Sequence, residues 1–279
     1  MKPLIVMQSD FGIGSGFVSC MHGICKIVDP ELQTCDITHL LPPFNVEAAS
    51  FCLQYTVPCW PEGTIFVSVV DPGVGTERRA CVAKLKNGSF VVTPDNGALT
   101  YLDEMIGVEE IREIDEKINR YPRTMEISIF HGRDLFAYCA ARLASGIITY
   151  EEVGPMYPTD EIVRHRVGKS EVSENCIKAE IQGFDPFGSV GTSVRNSDLS
   201  KAGFVIGDQT EVTLLDGQEE IFRGMVPYEK SFGFVEKGSD VLFNGLTSFA
   251  TIGTNEGSFA GKNDLCADKS YRIVIEKIG

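Results

Sequence analysis

Residues 64–85 read TIFVSVVDPGVGTERRACVAKL, and their first seven carry the fold. From Ile65 to Val70 the run has no polar face beyond Ser68. It predicts a strand buried on both sides, as the inner strands of a parallel sheet are. The strand then stops at an acid, Asp71, followed by Pro72, Gly73 and Gly75, which are turn residues. A turn alone does not call for the adjacent arginines, Arg78 and Arg79. Asp71 and Arg78, on either side of a flexible elbow, predict a loop that returns a cation toward a carboxylate.

The same alternation of short apolar runs and helical patterns extends outward. LIVM (4–7) ends in QSDFG, after which Phe17, Val18, Met21, Ile24, Cys25 and Val28 recur at helical spacing. CDIT (35–38) precedes PPFN, and VEAASFCLQYTV (46–57) follows as a helix. CVAKLKNGSFVVTP (81–94) reads as a hairpin around Asn87-Gly88. ISIF (127–130) predicts a further strand, and HGRD leads into a helix with Asp134 as N-cap and one apolar face, Leu135, Phe136, Cys139, Ala140 and Leu143. This part predicts an α/β domain with a largely parallel sheet over 1–165.

Residues 150–175, charged and carrying Pro155 and Pro158, read as the linker. Beyond them the character is β: CIKAEIQGF, GSVGTSV, EVTLLDG, FGFVEKG, SFATIG and SYRIVIEK, separated by Gly-rich turns. Residues 166–279 are therefore expected to form an all-β, barrel-like domain.

A formal net charge of −14 argues against a nucleic-acid partner, because binding phosphates needs clustered Lys and Arg. The opening MKPLIVMQSDFG has too short an apolar run for a signal peptide, and no window approaches the ~20 apolar residues of a membrane span. Nine cysteines without a C-x-x-C pair, with Cys20, Cys25, Cys52, Cys139 and Cys176 in apolar runs, predict buried reduced thiols in a cytoplasmic protein.

Chemically loaded residues fall at the ends of the first domain's strands: Asp10, Asp71, Asp95 with Asn96, and His131. In an open α/β sheet, ligands bind outside the carboxyl ends of the strands. Each residue also has a plain reading, as a helix cap, a turn residue or a satisfied imidazole; their coincidence at strand ends favours a site. GIGSG (12–16) lacks the spacing of a dinucleotide or phosphate loop. No H-x-H or H-E-x-x-H predicts a catalytic metal, and no G-x-S-x-G a serine nucleophile. A carboxylate, a guanidinium and an imidazole remain, a set suited to holding and activating water.

SDFG (9–12), VVDPGVGTERR (69–79), TPDNGALTYL (93–102), FHGRDLFA (130–137), FDPFGSVGTS (184–193) and GTNEGSFA (253–260) together resemble the S-adenosylmethionine hydroxide adenosyltransferases, relatives of the fluorinase and chlorinase enzymes. The resemblance implies an N-terminal α/β domain, a C-terminal β-barrel and a homotrimer with sites between neighbouring subunits. It also implies hydrolysis of S-adenosylmethionine to adenosine and methionine, with no cofactor. The family's catalytic triad falls on Asp71, Arg78 and His131, with His131 and a carboxylate expected to take the proton from water. Substrate contacts fall on Asp10, Ser15, Asp71, Asp95, Asp185, Phe187, Ser189, Asn255 and Glu256, with Asp10 at the ribose hydroxyls. The chain departs from the family pattern at Ser15, Ser189 and Gly245, where Asp, Asn and Ser are usual. All three lie toward the methionine half of the substrate, so weaker methionine recognition is expected. A halide-using enzyme and a non-catalytic nucleoside-binding relative stay open as alternatives.

Overall fold

The computed structural model describes residues 2–266 and 269–278, which divide into two compact units, Met1–His165 and Arg166–Gly279. In the first, strands β1 (Ile5–Ser9), β2 (Thr34–Thr38), β3 (Ile65–Val69), β4 (Ala80–Leu85), β5 (Phe90–Pro94) and β6 (Val108–Glu113) form one sheet in the order β2-β1-β3-β5-β4-β6. The run β2-β1-β3-β5 is parallel, whereas β4 pairs antiparallel with both β5 and β6. The sheet is thus mixed, because the Asn87-Gly88 hairpin turns β4 against its neighbours.

β3 is buried along its whole length. Its alternate residues Ile65, Val67 and Val69 join one core, while Phe66 joins the other. Helix α1 (Phe17–Val28) packs Met21, Ile24 and Cys25 into the first core; α2 (Val46–Thr56) and α3 (Thr100–Met105) send Leu53 and Leu102 into the second. Helices therefore cover both faces, which is why the strand needs no polar side. The lone polar residue is satisfied, since Gln8 Nε2 donates to Ser68 Oγ at 2.9 Å. Cys20, in contrast to the expectation of a buried thiol, is exposed on the outer face of α1, and Cys176 is only partly buried.

Two expectations fail next to the candidate site. Residues 127–130 are not a strand: they pair with no strand of the sheet, and Ile129 is 81% exposed. Asp134 is not an N-cap either. The helix starts earlier, as a π-helical turn over Gly132–Ala137 that runs into α5 (Tyr138–Ala144), after the short α4 (Glu116–Asn119). Asp134 lies fully buried inside that turn, accepting hydrogen bonds from Arg133 Nε at 2.6 Å and Nη2 at 3.0 Å.

The predicted linker is also more ordered than its composition implies. Tyr150 Oη donates to the carbonyls of Val82 and Glu110, and Val153 and Ile162 are buried, so residues 150–165 belong to the first unit.

The second unit is all-antiparallel: β7 (Glu171–Ser173), β8 (Cys176–Phe184), β9 (Val190–Arg195), β10 (Thr210–Asp216), β11 (Glu219–Met225), β12 (Asp240–Asn244), β13 (Phe249–Thr254) and β14 (Tyr271–Lys277). They pair in the order β11-β10-β14-β8-β9-β13-β12, with β7 beside β8, and two short helices, α6 (Asn196–Lys201) and α7 (Phe259–Lys262), intervene. FGFVEKG (232–238) is not a strand but holds a 3₁₀ turn at Phe232–Phe234. The Phe232 ring packs on that of Phe243, with centroids 4.7 Å apart.

Candidate active site

Parallel pairing brings the carboxyl ends of β1 and β3 side by side, with Ser9 opposite Val69. Asp10 and Asp71 follow directly. After Asp71 the chain folds back through Val74 N to Asp71 O (3.2 Å) and Thr76 N to Gly73 O (3.1 Å). A glycine is required at 75, and at 73 there is little room to spare. A Cβ on Gly73 would lie 3.2 Å from Arg78 Cγ, and Gly75, with φ +75°, would bring one to 2.8 Å from the carbonyl oxygen of Ser128. The elbow therefore lets the Arg78 stem lie along the loop and turn its guanidinium onto Asp71.

The result is a closely paired cation and anion. Arg78 Nε donates to Asp71 Oδ1 and Oδ2 at 3.0 and 3.1 Å, and Nη2 donates to Oδ2 at 2.5 Å. Their side chains are 11% and 5% exposed. Arg78 also lies over the Phe136 ring, 5.3 Å from its centroid. A buried, forked pair of this kind is well oriented for a bidentate carboxylate.

His131 completes the group. It immediately precedes the π-helical turn, and Gly132 sits so close to Phe11 that a Cβ would meet that ring at 2.8 Å. Arg78 Nη2 lies 2.9 Å from His131 Nδ1. A guanidinium has only donors, so Nδ1 accepts, and the neutral ring carries its proton on Nε2. Nε2 is buried with no hydrogen-bond partner among the described residues. The imidazole pKa is held below its ordinary value, first by burial and then by the Arg78 charge, with Asp71 and Glu116 opposing. The arrangement differs from the expected proton acceptor: the ring's lone pair is occupied by Arg78, and its free edge is a donor.

The other expected residues have distinct placements. Asp10 Oδ2 accepts from the backbone N–H of Phe44 at 2.8 Å, a residue held at φ 65°. Ser15 is exposed in the loop before α1. Asp95 is buried, and both its oxygens are engaged within the first unit, Oδ2 by Tyr157 Oη at 3.0 Å and Oδ1 by Val163 N at 2.9 Å. Burial raises its pKa above the ordinary carboxylate value, with those hydrogen bonds and Arg79 opposing. Asn96 Nδ2 donates to the carbonyl of Val70, tying the end of β5 to that of β3.

In the second unit the remaining residues lie on two touching loops. Asp185 Oδ1 accepts from the backbone N–H groups of Phe187 and Ser189, both at 2.8 Å, shaping the β8–β9 turn. Ala260 N donates to Gly188 O at 2.8 Å, which joins that turn to α7, directly after the loop carrying Asn255 and Glu256. Phe187 is exposed and Ser189 buried. Asn255 Nδ2 donates to Val235 O, and Glu256 pairs with Lys237 at 2.5 Å. Gly245 has no room for a side chain: a Cβ would lie 2.3 Å from Thr251 Oγ1 and 2.6 Å from Phe249 O. Sequence reading missed Glu116 and Arg120, which bear on the His131 imidazole. Their signal is weak, since both sit in an ordinary charged run, EKINR.

Comparison with known proteins is consistent across the chain. Residues 5–154 match the SAM hydroxide adenosyltransferase N-terminal domain and residues 179–271 the corresponding C-terminal domain. The chain is 36% identical over 198 residues to a protein of Salinispora tropica named (R)-S-adenosyl-L-methionine hydrolase, covering 71% of this chain and 74% of that one. A protein of the same name from Thermus thermophilus is 31% identical over 264 residues, covering 92% and 94%. Among solved structures, an uncharacterized conserved protein from Thermotoga maritima aligns with a TM-score of 0.85 at 32% identity, covering 97% of this chain and 99% of that one.

Proposed function

The chain belongs to the SAM hydroxide adenosyltransferase family, and on that premise we propose that it hydrolyses S-adenosyl-L-methionine to adenosine and L-methionine. Water oxygen forms a bond to C5′ as the C5′–S bond breaks. The electron pair stays on sulfur, which leaves as a neutral thioether, so the departing side needs no general acid and no cofactor. The difficulty is the nucleophile, which must be oriented and relieved of a proton.

The observation that carries the reading is the Asp71–Arg78–His131 group. A buried guanidinium and the His131 Nε2–H stabilise negative charge developing on the water oxygen, in surroundings that screen it little. Asp71 Oδ1 accepts from Arg78 Nε alone and keeps a lone pair. It is the acceptor for the water proton. Asp10 orders the ribose hydroxyls, and Asp185, Phe187, Ser189, Asn255 and Glu256 contribute the second unit's share of the substrate contacts. Ser15 lies toward the methionine ammonium, and Asp95 acts through the backbone at 163 that it holds.

A homotrimer with sites at subunit boundaries fits the apolar side chains that each unit leaves exposed beside these residues: Phe17 and Phe44 in the first, Phe187 and Leu246 in the second. Nine free thiols suit a reducing, cytoplasmic setting. No helix among the described residues is long and apolar enough to cross a membrane.

Product analysis by chromatography tests the reading directly. Incubation with S-adenosylmethionine, with and without chloride, should release adenosine in both cases, and chelator should leave turnover intact below the melting temperature. A halogenated nucleoside would move the chain to the halide-using branch, and no product would make it a binding protein.

A further inference from the structure

On the α1-covered side of β2 lie three side chains that the hydrolytic chemistry does not use. Thr34 and Asp36 are two apart on β2 and so share a face, while Cys35 points away from it. His22 reaches that face from α1, and His39 follows the strand's end. Their ligating atoms all lie within 4.8 Å of one another. We propose that His22, Asp36 and His39 form a binding site for a divalent first-row transition ion of the zinc class, with water completing its coordination.

The orientation of the rings carries this. His22 Nδ1 is 2.8 Å from Thr34 Oγ1, and His39 Nδ1 is 2.6 Å from Ser9 Oγ. Each ring thus spends one nitrogen on a hydroxyl and aims the other, Nε2, at Asp36, with both Nε2 atoms 3.0 Å from Oδ1. A hydrogen-bonded second nitrogen is how ligating histidines are held. In the tautomer with Nδ1–H donated to the hydroxyl, each Nε2 turns a lone pair toward the carboxylate, and an ion between them would be held by all three groups. Without an ion the other tautomer lets Nε2–H donate to Asp36, as at the 3.2 Å from His22 Nε2 to Oδ2.

His39 discriminates between the two tautomers. Its side chain is 3% exposed, and its Nε2 makes no hydrogen bond despite the short distance to Asp36. An N–H there would point off the line to that carboxylate oxygen, 3.0 Å away, and be poorly satisfied, which favours the tautomer with a lone pair on Nε2. Donor atoms bound at about 2.0–2.2 Å to a tetrahedral ion lie roughly 3.3 Å apart, close to the two Nε2–Oδ1 separations of 3.0 Å, and the set as a whole spans no more than 4.8 Å. Two imidazoles with one carboxylate suit zinc, cobalt or nickel rather than calcium or magnesium. His22 and Asp36 are partly exposed, leaving an approach for the ion and its waters.

Occupancy would act on the loop that carries Asp10. His39 O accepts from Gly12 N at 2.7 Å, and Ser9 Oγ accepts from Phe11 N at 3.2 Å. The ion would therefore stiffen the β1 exit without entering the chemistry.

Titration of the chelator-stripped full-length protein with Co²⁺ tests the site, read by visible absorption and by melting temperature. One equivalent should bind with a visible band, without the intense near-ultraviolet band of thiolate coordination, and should raise the melting temperature. His22→Ala and Asp36→Asn, both at partly exposed positions, should each weaken binding at least about tenfold, since loss even of an outer partner commonly costs 10–100-fold. Their melting temperatures should stop responding to Co²⁺. No binding in excess Co²⁺, equal binding by wild type and both variants, or a thiolate band from Cys20 or Cys35 would each overturn the proposal.

Discussion

Replacing His131 separates a donor from a base. In the structure Arg78 Nη2 occupies Nδ1 at 2.9 Å, so the neutral ring carries an unpartnered Nε2–H, which in the proposed mechanism donates to the nucleophile. His131→Ala removes one preorganised donor to developing negative charge, and such a loss costs about 2.7–4 kcal/mol, or roughly 10²–10³ in kcat. It also strips Arg78 of an acceptor, a loss of about 1–3 kcal/mol that falls on stability because it concerns a buried donor in the resting protein. His131→Gln is the informative partner. Its amide oxygen can accept from Arg78, and its N–H can stand near the former Nε2–H. If the ring works as a donor, Gln should recover at least roughly tenfold of the rate lost in Ala. Steady-state adenosine release across pH, for the wild type and both variants, reads this out. Equal loss in Gln and Ala, at unchanged nucleoside affinity by calorimetry, would refute the donor assignment and return the ring to the role of base, since an amide takes up no proton.

Asp71→Ala leaves the Arg78 guanidinium, 11% exposed, without its counter-ion; unfolding in urea should show a loss of about 3–5 kcal/mol. Because the His131 pKa is lowered in the folded protein, the unfolded chain takes up that proton first. Its contribution to stability is thus complete above about pH 6.5 and declines as pH falls from there toward the lower folded value, a slope that His131→Gln should remove in urea titrations at stepped pH. With Ser15 exposed and no room at Gly245 for a side chain, adenosine should bind in calorimetry about as tightly as S-adenosylmethionine, and free methionine should give no heat. Ser15→Asp should tighten the intact substrate; much tighter wild-type binding of S-adenosylmethionine than of adenosine would show that other groups hold the methionine.

Much of the site was legible because its local requirements leave marks in the sequence. A strand buried on both faces has to be almost wholly apolar, and a loop that turns back at φ +75° against the Ser128 carbonyl needs glycine at 75, so VVDPGVGTERR announces both. Features set by distant partners left no such mark. Ile127–Phe130 has strand composition but pairs with no strand of the sheet. β11, written EEIFRGM, has the charge of a surface loop and is held by its pairing with β10. Asp95 looked like a strand-end ligand, yet its partners Tyr157 and Val163 come from a segment whose prolines and charges read as linker. The His131 tautomer was invisible for the same reason, since it is decided by a guanidinium 53 residues away in the chain.

The π-helical turn that begins at Gly132 has a consequence for how this activity is inherited. Such a turn holds one residue more than an α-helical turn, so deleting a single codon within it would let it relax to ordinary helix. Because a helix advances about 100° per residue, the imidazole at its mouth would swing away from the arginine while α5 kept its packing. A lineage could thus lose the chemistry by one in-frame event and keep a folded, ligand-sized protein, and regain it by the reverse insertion. Comparing chain lengths between the FHGRD and AYCAAR segments across relatives would reveal such switches without a substitution at Asp71, Arg78 or His131.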